Sequence, residues 1–141
     1  MPGPDLPEGF ALAQFEEIDS TNQEAMRRAE QGEPGPMWIT AELQTAGRGR
    51  LGRRWISERG NLYSTLLLPL KPGERASDLS FVTAIATCEA AAACLPENAR
   101  SLLQLKWPND LLMAGEKTAG ILLEQAGSSS IAIGIGLNLG Q

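Results

Sequence analysis

Near its end the chain alternates without interruption, with Ile131, Ile133, Ile135, Leu137 and Leu139 on one side and Ala132, Gly134, Gly136 and Asn138 on the other. A period of two predicts a strand with one core face. Its small face admits another backbone, a flat ligand or a packed helix, and Asn138 offers a donor and an acceptor there. Earlier segments carry weaker forms of the same pattern. Residues 10–18 make an imperfect strand face with Phe10, Leu12, Phe15 and Ile18. Residues 37–42 set Trp38 and Thr40 against Met37, Ile39 and Ala41, again as a strand. Residues 62–70 are apolar on both sides (Tyr63, Thr65 and Leu67; Leu62, Leu66 and Leu68), which places that strand in the middle of a sheet. A short strand over 102–106 stops at Trp107-Pro108-Asn109-Asp110, because proline restricts the residue before it and cannot donate to a ladder. Residues 111–113 and 117–124 then pair as a hairpin around Ala114-Gly115-Glu116.

Two stretches change to helical spacing. Thr21 with Glu24 reads as a capping box and Gly32 as a stop, predicting a helix over 22–31. Its apolar stripe, Ala25, Met26 and Ala29, is narrow, which suits a helix covering a sheet edge. Ser77 reads as the N-cap of a longer helix to Leu95, with Leu79, Val82, Ile85, Ala86, Glu89 and Ala92 near helical spacing and Pro96 as the stop. This is expected to be the main core helix. Strands, helices and hairpins in this order define an α+β fold with a mixed sheet. Residues 1–14 are expected to hold a flexible N-terminal segment and the first strand, and 15–141 the front part of the folded domain.

Between the second and third strands the alternation fails. Residues 44–55, QTAGRGRLGRRW, interleave Gly47, Gly49 and Gly52 with Arg48, Arg50, Arg53 and Arg54, and no carboxylate falls between Glu42 and Glu58. A permissive backbone can wrap a ligand while guanidinium forks take phosphate or carboxylate oxygens in pairs. Ordering a loop residue costs roughly 1–2 kcal/mol and a hydrogen bond to a charged group returns roughly 1.5–3, so the segment reads as a ligand-gated lid. A solvated linker or an RNA-binding tail has the same composition. Against that stands a formal net charge of −5, which makes the arginines a local positive island on an acidic chain rather than a basic surface for nucleic acid.

With no histidine in the chain, a serine triad and a Cys-His pair are excluded, and chemistry falls to carboxylates, lysine, arginine and bound metal. Cys88 and Cys94 sit in an alanine-rich segment and read as core thiols. No run of eighteen apolar residues exists and the N-terminus has no signal-peptide pattern, so a cytoplasmic protein without a membrane partner is expected.

In order, DSTN, AELQTAGRGRLGRRW, NLY, KWPNDLL, KTAGILLE and GIGLN resemble the catalytic domain of the biotin protein ligases. KWPND with a lysine seven residues after its aspartate is the specific element. The resemblance implies a mixed, largely antiparallel sheet with helices packed on it, the biotin/lipoate ligase catalytic fold, which is like that of class II aminoacyl-tRNA synthetases. It implies biotin and ATP with Mg2+ as ligands, and a biotin carboxyl carrier protein as partner. Ser20, Thr21, Asn22, Gln44 and Gly49 then belong to the biotin site; Ser20 and Thr21 also read as helix caps, a role compatible with ligand contact. Arg48, Arg50 and Lys117 meet the biotin carboxylate and the phosphate; the plain reading of Lys117 is an exposed hairpin lysine. Trp55, Asn109 and Asn138 fall around the nucleotide, and Asp110 either holds magnesium or favours deprotonation of the acceptor amine. Trp107 and Pro108 shape the turn.

The family's domain continues past GIGLN into helices and a small barrel, so the chain resembles a ligase cut short, with no DNA-binding domain before it and no barrel after it. Its last strand is expected to be uncovered and to promote self-association. A lipoate or octanoate ligase, or a biotin- or nucleotide-binding module without turnover, are the alternatives. Gln44 with the complete GRGR and KWPND motifs favours biotin.

Overall fold

The computed structural model describes residues 4–107 and 109–139. Its described residues build a seven-stranded sheet in the order β1-β2-β3-β7-β6-β5-β4. The strands are β1 (Ala11–Ile18), β2 (Met37–Gln44), β3 (Leu62–Pro69), β4 (Leu103–Lys106), β5 (Asp110–Met113), β6 (Glu116–Ala126) and β7 (Ser130–Leu137). Only β1 and β2 run parallel, joined through helix α1 (Thr21–Glu30); the other ladders are antiparallel. Because β1 continues to Ile18, the expected boundary after residue 14 falls inside a strand of the sheet.

The ladder registers sort the side chains onto two faces. On one face, Ile39, Thr65 and Gly134 lie in one row and Met37, Leu67 and Ala132 in the next. On it Ile39, Leu67, Ala126 and Ala132 close around Ala25 of α1, and all five are fully buried. Burying a side chain such as Leu67 or Ile39 contributes about 1.5–3 kcal/mol. The narrow stripe of α1 therefore does not cover an edge. Ala25 and Ala29 are small enough to bring the helix close over the middle of the sheet, across β2, β3, β6 and β7. Nor does Thr21 cap it: the helix starts at Thr21, and Ser20 accepts from the Gln23 amide at 2.9 Å. Thr21 is unavailable because its amide and hydroxyl both reach Gln44 Oε1, and Glu24 pairs with Arg27 and Arg28.

Helix α2 (Ala76–Ala93) lies on the opposite face over β4, β5 and β6. It begins after Arg75 without a side-chain cap, so Ser77 lies inside it. The expected core stripe is wrong. Val82 and Ile85 are 62% and 53% exposed, while Thr83, Ala84, Thr87 and Ala91 are the buried positions. A helix that is apolar almost all round does not record which side it buries, and the small side chains permit the closest approach. Cys88 is half-buried against the cluster of Ala91, Leu111, Ala119 and Leu137, but Cys94 is exposed beyond the helix end. No described helix is long and apolar enough to cross a membrane.

Strand β7 pairs with β3 on one side and β6 on the other. It has no free edge, so the expected route to self-association through unpaired backbone is absent; β1 and β4 are the edges. Its Ile133, Ile135 and Leu137 face an apolar groove of about 960 Å³ beneath Leu79, Val82 and Ala86 of α2. Pro108, assigned to the turn before β5, lies outside the described residues. Trp107 is 71% exposed and stacks on Phe81, ring centroids 4.7 Å apart.

Asp19, at the end of β1, receives a two-pronged guanidinium from Arg27, both contacts 2.8 Å. Those bonds lower its carboxyl from 3.8 to about 2, against the opposing effect of burial. An unfolded chain takes up the proton first, so the contribution is complete above about pH 4 and is lost as pH falls towards 2. The pair is part-exposed, which keeps it within about 1 kcal/mol. Urea unfolding at pH 6 and pH 2.5 should therefore show a smaller acid loss for Asp19→Asn than for the parent. Equal losses would show that Asp19 does not carry the acid response.

Candidate active site

A cavity of about 310 Å³ opens on the face that carries α1. Its floor is Gly120 of β6 opposite Gly136 of β7, with Gly134 next along the strand. Each of these glycines admits something different. A Cβ on Gly134 would strike the Asn22 side-chain amide of α1. A Cβ on Gly136 would come within 2.7 Å of Trp55 Nε1, and one on Gly120 within 3.1 Å of the far edge of the same indole. The small face of β7 thus receives a helix at one position and a flat ring at the next, and the ring is the protein's own tryptophan.

The wall beside α1 is a polar network. Thr21 N–H donates to Gln44 Oε1 at 2.8 Å, and Gln44 Nε2 donates to Ser57 Oγ at 2.9 Å. Ser57 in turn donates to the Trp55 carbonyl at 2.9 Å. Thr65 Oγ1 lies 2.6 Å from Asn22 Oδ1 and 2.7 Å from Thr21 Oγ1, fully buried under the helix start. Asn22 spends both amide hydrogens, on the Leu122 carbonyl and on Glu124. Ser20 accepts from the helix, and its own proton donates to no described residue. One Gln44 N–H and the Ser20 hydroxyl remain for a neutral, hydrogen-bonding group.

The opposite wall is cationic. The loop after β2 turns back on itself: Gly49 N–H reaches the Arg53 carbonyl at 2.6 Å and Trp55 N–H the Gly47 carbonyl at 2.9 Å. Gly47 is obligatory there, since a Cβ would strike Ser57 Oγ and the Trp55 carbonyl. The fold brings one carboxylate to this island. Arg48 forms a bidentate pair with Glu124, at 2.8 and 3.1 Å. Arg50, Arg53 and Arg54 line the cavity and make no ion pair with any described residue. Between the two walls, Lys117 Nζ sits 3.1 Å from Asp110 Oδ1 and 5.1 Å from the centroid of the Trp55 ring. Trp55 Nε1 is buried against Gly136 and has no described partner.

Lys117 reaches this face through an irregularity. Asp110 pairs with Gly120 and Leu111 with Ala119, but Leu112 pairs with Lys117, so Thr118 is an extra residue in β6. Strict alternation would send Lys117 to the side of Ala119, under α2. The bulge turns it to the side of Asp110 and Gly120. The hairpin turn itself is Ala114-Gly115 alone, both at positive φ, with Glu116 already in the strand.

Of the residues assigned from the sequence, Ser20, Thr21, Asn22, Gln44, Arg48, Gly49, Arg50, Trp55, Asp110 and Lys117 line one cavity. Asn109 and Asn138 do not. Asn109 accepts from Ser80 of α2 at 2.9 Å and donates to the Ile121 carbonyl at 3.1 Å, bracing the turn against helix and sheet. Asn138 N–H donates to the Thr118 carbonyl at 2.7 Å, beside the bulge. Sequence reading missed Glu124, Ser57 and Thr65. Period two counted from Gly120 puts Glu124 on the cavity face, which is the signal that could have found it; Ser57 and Thr65 leave no comparable trace.

A cavity that joins hydrogen-bonding side chains, a glycine floor, a lysine and three arginines without an ion pair among the described residues makes this an α+β domain with a site suited to a ligand that carries both neutral polar and anionic groups. The model of the Biotin/lipoate A/B protein ligase family matches residues 14–139, and the chain belongs to that family. It is similar to a biotin–[acetyl-CoA-carboxylase] ligase of Paracoccus denitrificans, 47% identical over 126 residues that make up 86% of this chain and 51% of that protein. Among solved structures it is similar to a biotin protein ligase from Aquifex aeolicus in complex with biotin and ATP, with 34% identity and a TM-score of 0.76 over 93% of this chain and 53% of that one. A Leishmania major biotin protein ligase in complex with biotinyl-5-AMP is 30% identical, with a TM-score of 0.70, over 94% of this chain and 58% of that one. The chain spans about half the length of the curated relatives it matches.

Proposed function

We propose that this domain activates biotin with ATP and passes the biotinyl group to a lysine of a biotin carboxyl carrier protein. The observation that carries the proposal is the chemistry gathered in one cavity: hydrogen-bonding groups of Ser20, Thr21 and Gln44, the ammonium of Lys117, and arginines without an ion pair among the described residues. The ureido head of biotin is neutral and calls for directed donors and acceptors; its other end is a carboxylate. In the first half-reaction a carboxylate oxygen attacks the α-phosphorus of ATP, and pyrophosphate leaves with the electrons of the broken P–O bond. Two anions must approach, so cations have to neutralise and align them. In this reading Lys117 serves the carboxylate, Arg50, Arg53 and Arg54 the phosphate oxygens, and the Trp55 indole the base. In the second half-reaction the amine of the carrier lysine attacks the acyl carbon, AMP departs, and the amine proton is lost.

Among the described residues no three metal-ligating side chains gather to hold an ion alone. Magnesium suits a site of another kind, in which substrate phosphates supply most ligands and the protein one or two carboxylates. Asp110 is the carboxylate on the cavity wall and would be its protein ligand, offsetting phosphate charge.

Calorimetry tests the reading. Biotin is expected to bind and lipoate to fail, because a flexible dithiolane chain leaves the donors of Ser20 and Gln44 unmatched. After MgATP and a carrier protein are added, a streptavidin blot should detect the carrier. Equal binding of lipoate would overturn the biotin assignment. Biotin binding with no labelled carrier would reduce the domain to a binding module.

A further inference from the structure

Arg48 is the loop arginine nearest the polar wall, yet its guanidinium is already engaged. Both of its terminal nitrogens lie on Glu124, 76 residues away in the chain. The same carboxylate accepts from Asn22 Nδ2 at 3.0 Å, so one side chain of β6 ties the arginine loop to the start of α1. The pair is part-exposed, with side-chain exposures of 37% for Arg48 and 21% for Glu124. Asn22 is itself fixed by Thr65 and the Leu122 carbonyl, and its place over the sheet exists only because Gly134 has no side chain. The carboxylate is therefore held from behind and presents a fork in fixed orientation. Arg48 meets it at the base of the loop, where Arg48 also bridges to Arg54. Beyond that point Arg50, Arg53 and Arg54 remain unpaired at the cavity.

We infer that Glu124 is a positioning residue, a latch that holds the arginine loop over the site through Arg48 and so determines how long the activated intermediate is retained. The inference rests on the ligase reading for its consequence, and on the Glu124 contacts alone for its structure. It divides the loop arginines by task. Arg48 holds the loop to the sheet, and the unpaired three serve the phosphate. A bidentate, charge-assisted contact suits a latch because both partners must be oriented together, while a part-exposed pair stays weak enough to part for entry and release.

Glu124→Gln tests this, since glutamine keeps the volume and an acceptor for Asn22 but removes the charge that orients Arg48. Release of pre-formed biotinyl-5′-AMP should speed up roughly tenfold in Glu124→Gln and in Arg48→Ala, and the double variant should release no faster than either single one. Amide hydrogen exchange, with neither biotin nor ATP added, should rise several-fold across residues 47–55 in Glu124→Gln while β7 exchanges as in the parent. Fast release in Arg48→Ala with parental release in Glu124→Gln would show that Arg48 acts on the phosphate directly, and would overturn the latch. Unchanged exchange in the loop would overturn it too. A parent protein that forms no adenylate would sink the ligase reading instead, and the exchange experiment would then decide the latch alone.

Discussion

Lys117→Met is expected to slow biotinyl-adenylate formation by roughly 10² to 10³ while the fold stays intact. Its ammonium lies over the Trp55 ring and beside Asp110, in the cavity that the hydrogen-bonding side chains and the unpaired arginines also line. That is where the biotin carboxylate must meet the α-phosphorus in the proposed reaction. Methionine preserves the apolar stem over the indole and removes only the charge. The substitution also leaves Asp110 without its cation, so Asp110→Asn in the Lys117→Met background serves as the control for an uncompensated carboxylate. Pyrophosphate release in single turnover is the measurement. A rate within tenfold of the parent would remove Lys117 from the chemical step.

Gly134→Ala is the substitution expected to damage the fold most. The added methyl would strike Asn22 Oδ1 and stand 2.9 Å from its Cγ. The amide cannot swing aside, because Thr65, the Leu122 carbonyl and Glu124 hold it from three directions. Forcing an extra carbon into a packed position costs about 1–3 kcal/mol, and the loosened network adds to that. The midpoint of urea unfolding should drop without a change in its slope. Gly120→Ala is the instructive contrast. Its methyl would meet the outer edge of the Trp55 ring at 3.1 Å and the end of the Lys117 stem at 3.5 Å, a loop side chain and a flexible one that can both give way. Stability should change little there while ligand affinity falls. If Gly134→Ala is as stable as the parent, the Asn22 amide is not locked and the helix start is softer than its bonds indicate.

Much of the site was legible as a set of residue types. An arginine and glycine run after a strand reads as an anion loop, and Gln44, Thr21 and Lys117, singled out by the motif resemblance, line one cavity with it. Asn109 shows the limit of that method. A polar side chain in a motif looks the same whether it faces a ligand or braces a helix, and here it bridges Ser80 and the Ile121 carbonyl. Glu124 is the reverse case. It ends a run of apolar residues and looks like an ordinary solvated carboxylate until the fold sets Arg48 against it.

The sequence by itself determined what depends on near neighbours. Strict alternation made β7 a strand with a core face and a small face, because successive side chains of an extended chain must point to opposite sides. Proline and glycine set the breaks, and the apolar run on both sides of β3 put that strand inside the sheet. Tertiary structure alone decided what depends on partners distant in the chain. It chose the buried side of α2, whose nearly uniform apolar surface records no preference. It moved the cap of α1 from Thr21 to Ser20 by giving Thr21 to Gln44, and it engaged Arg48 with Glu124. Above all it inserted Thr118 as a bulge, which reverses the facing of every residue between it and the turn. Period two assigns Lys117 to the core, and only the pairing of β5 with β6 turns it into the cavity, because register is a property of two strands and not of one.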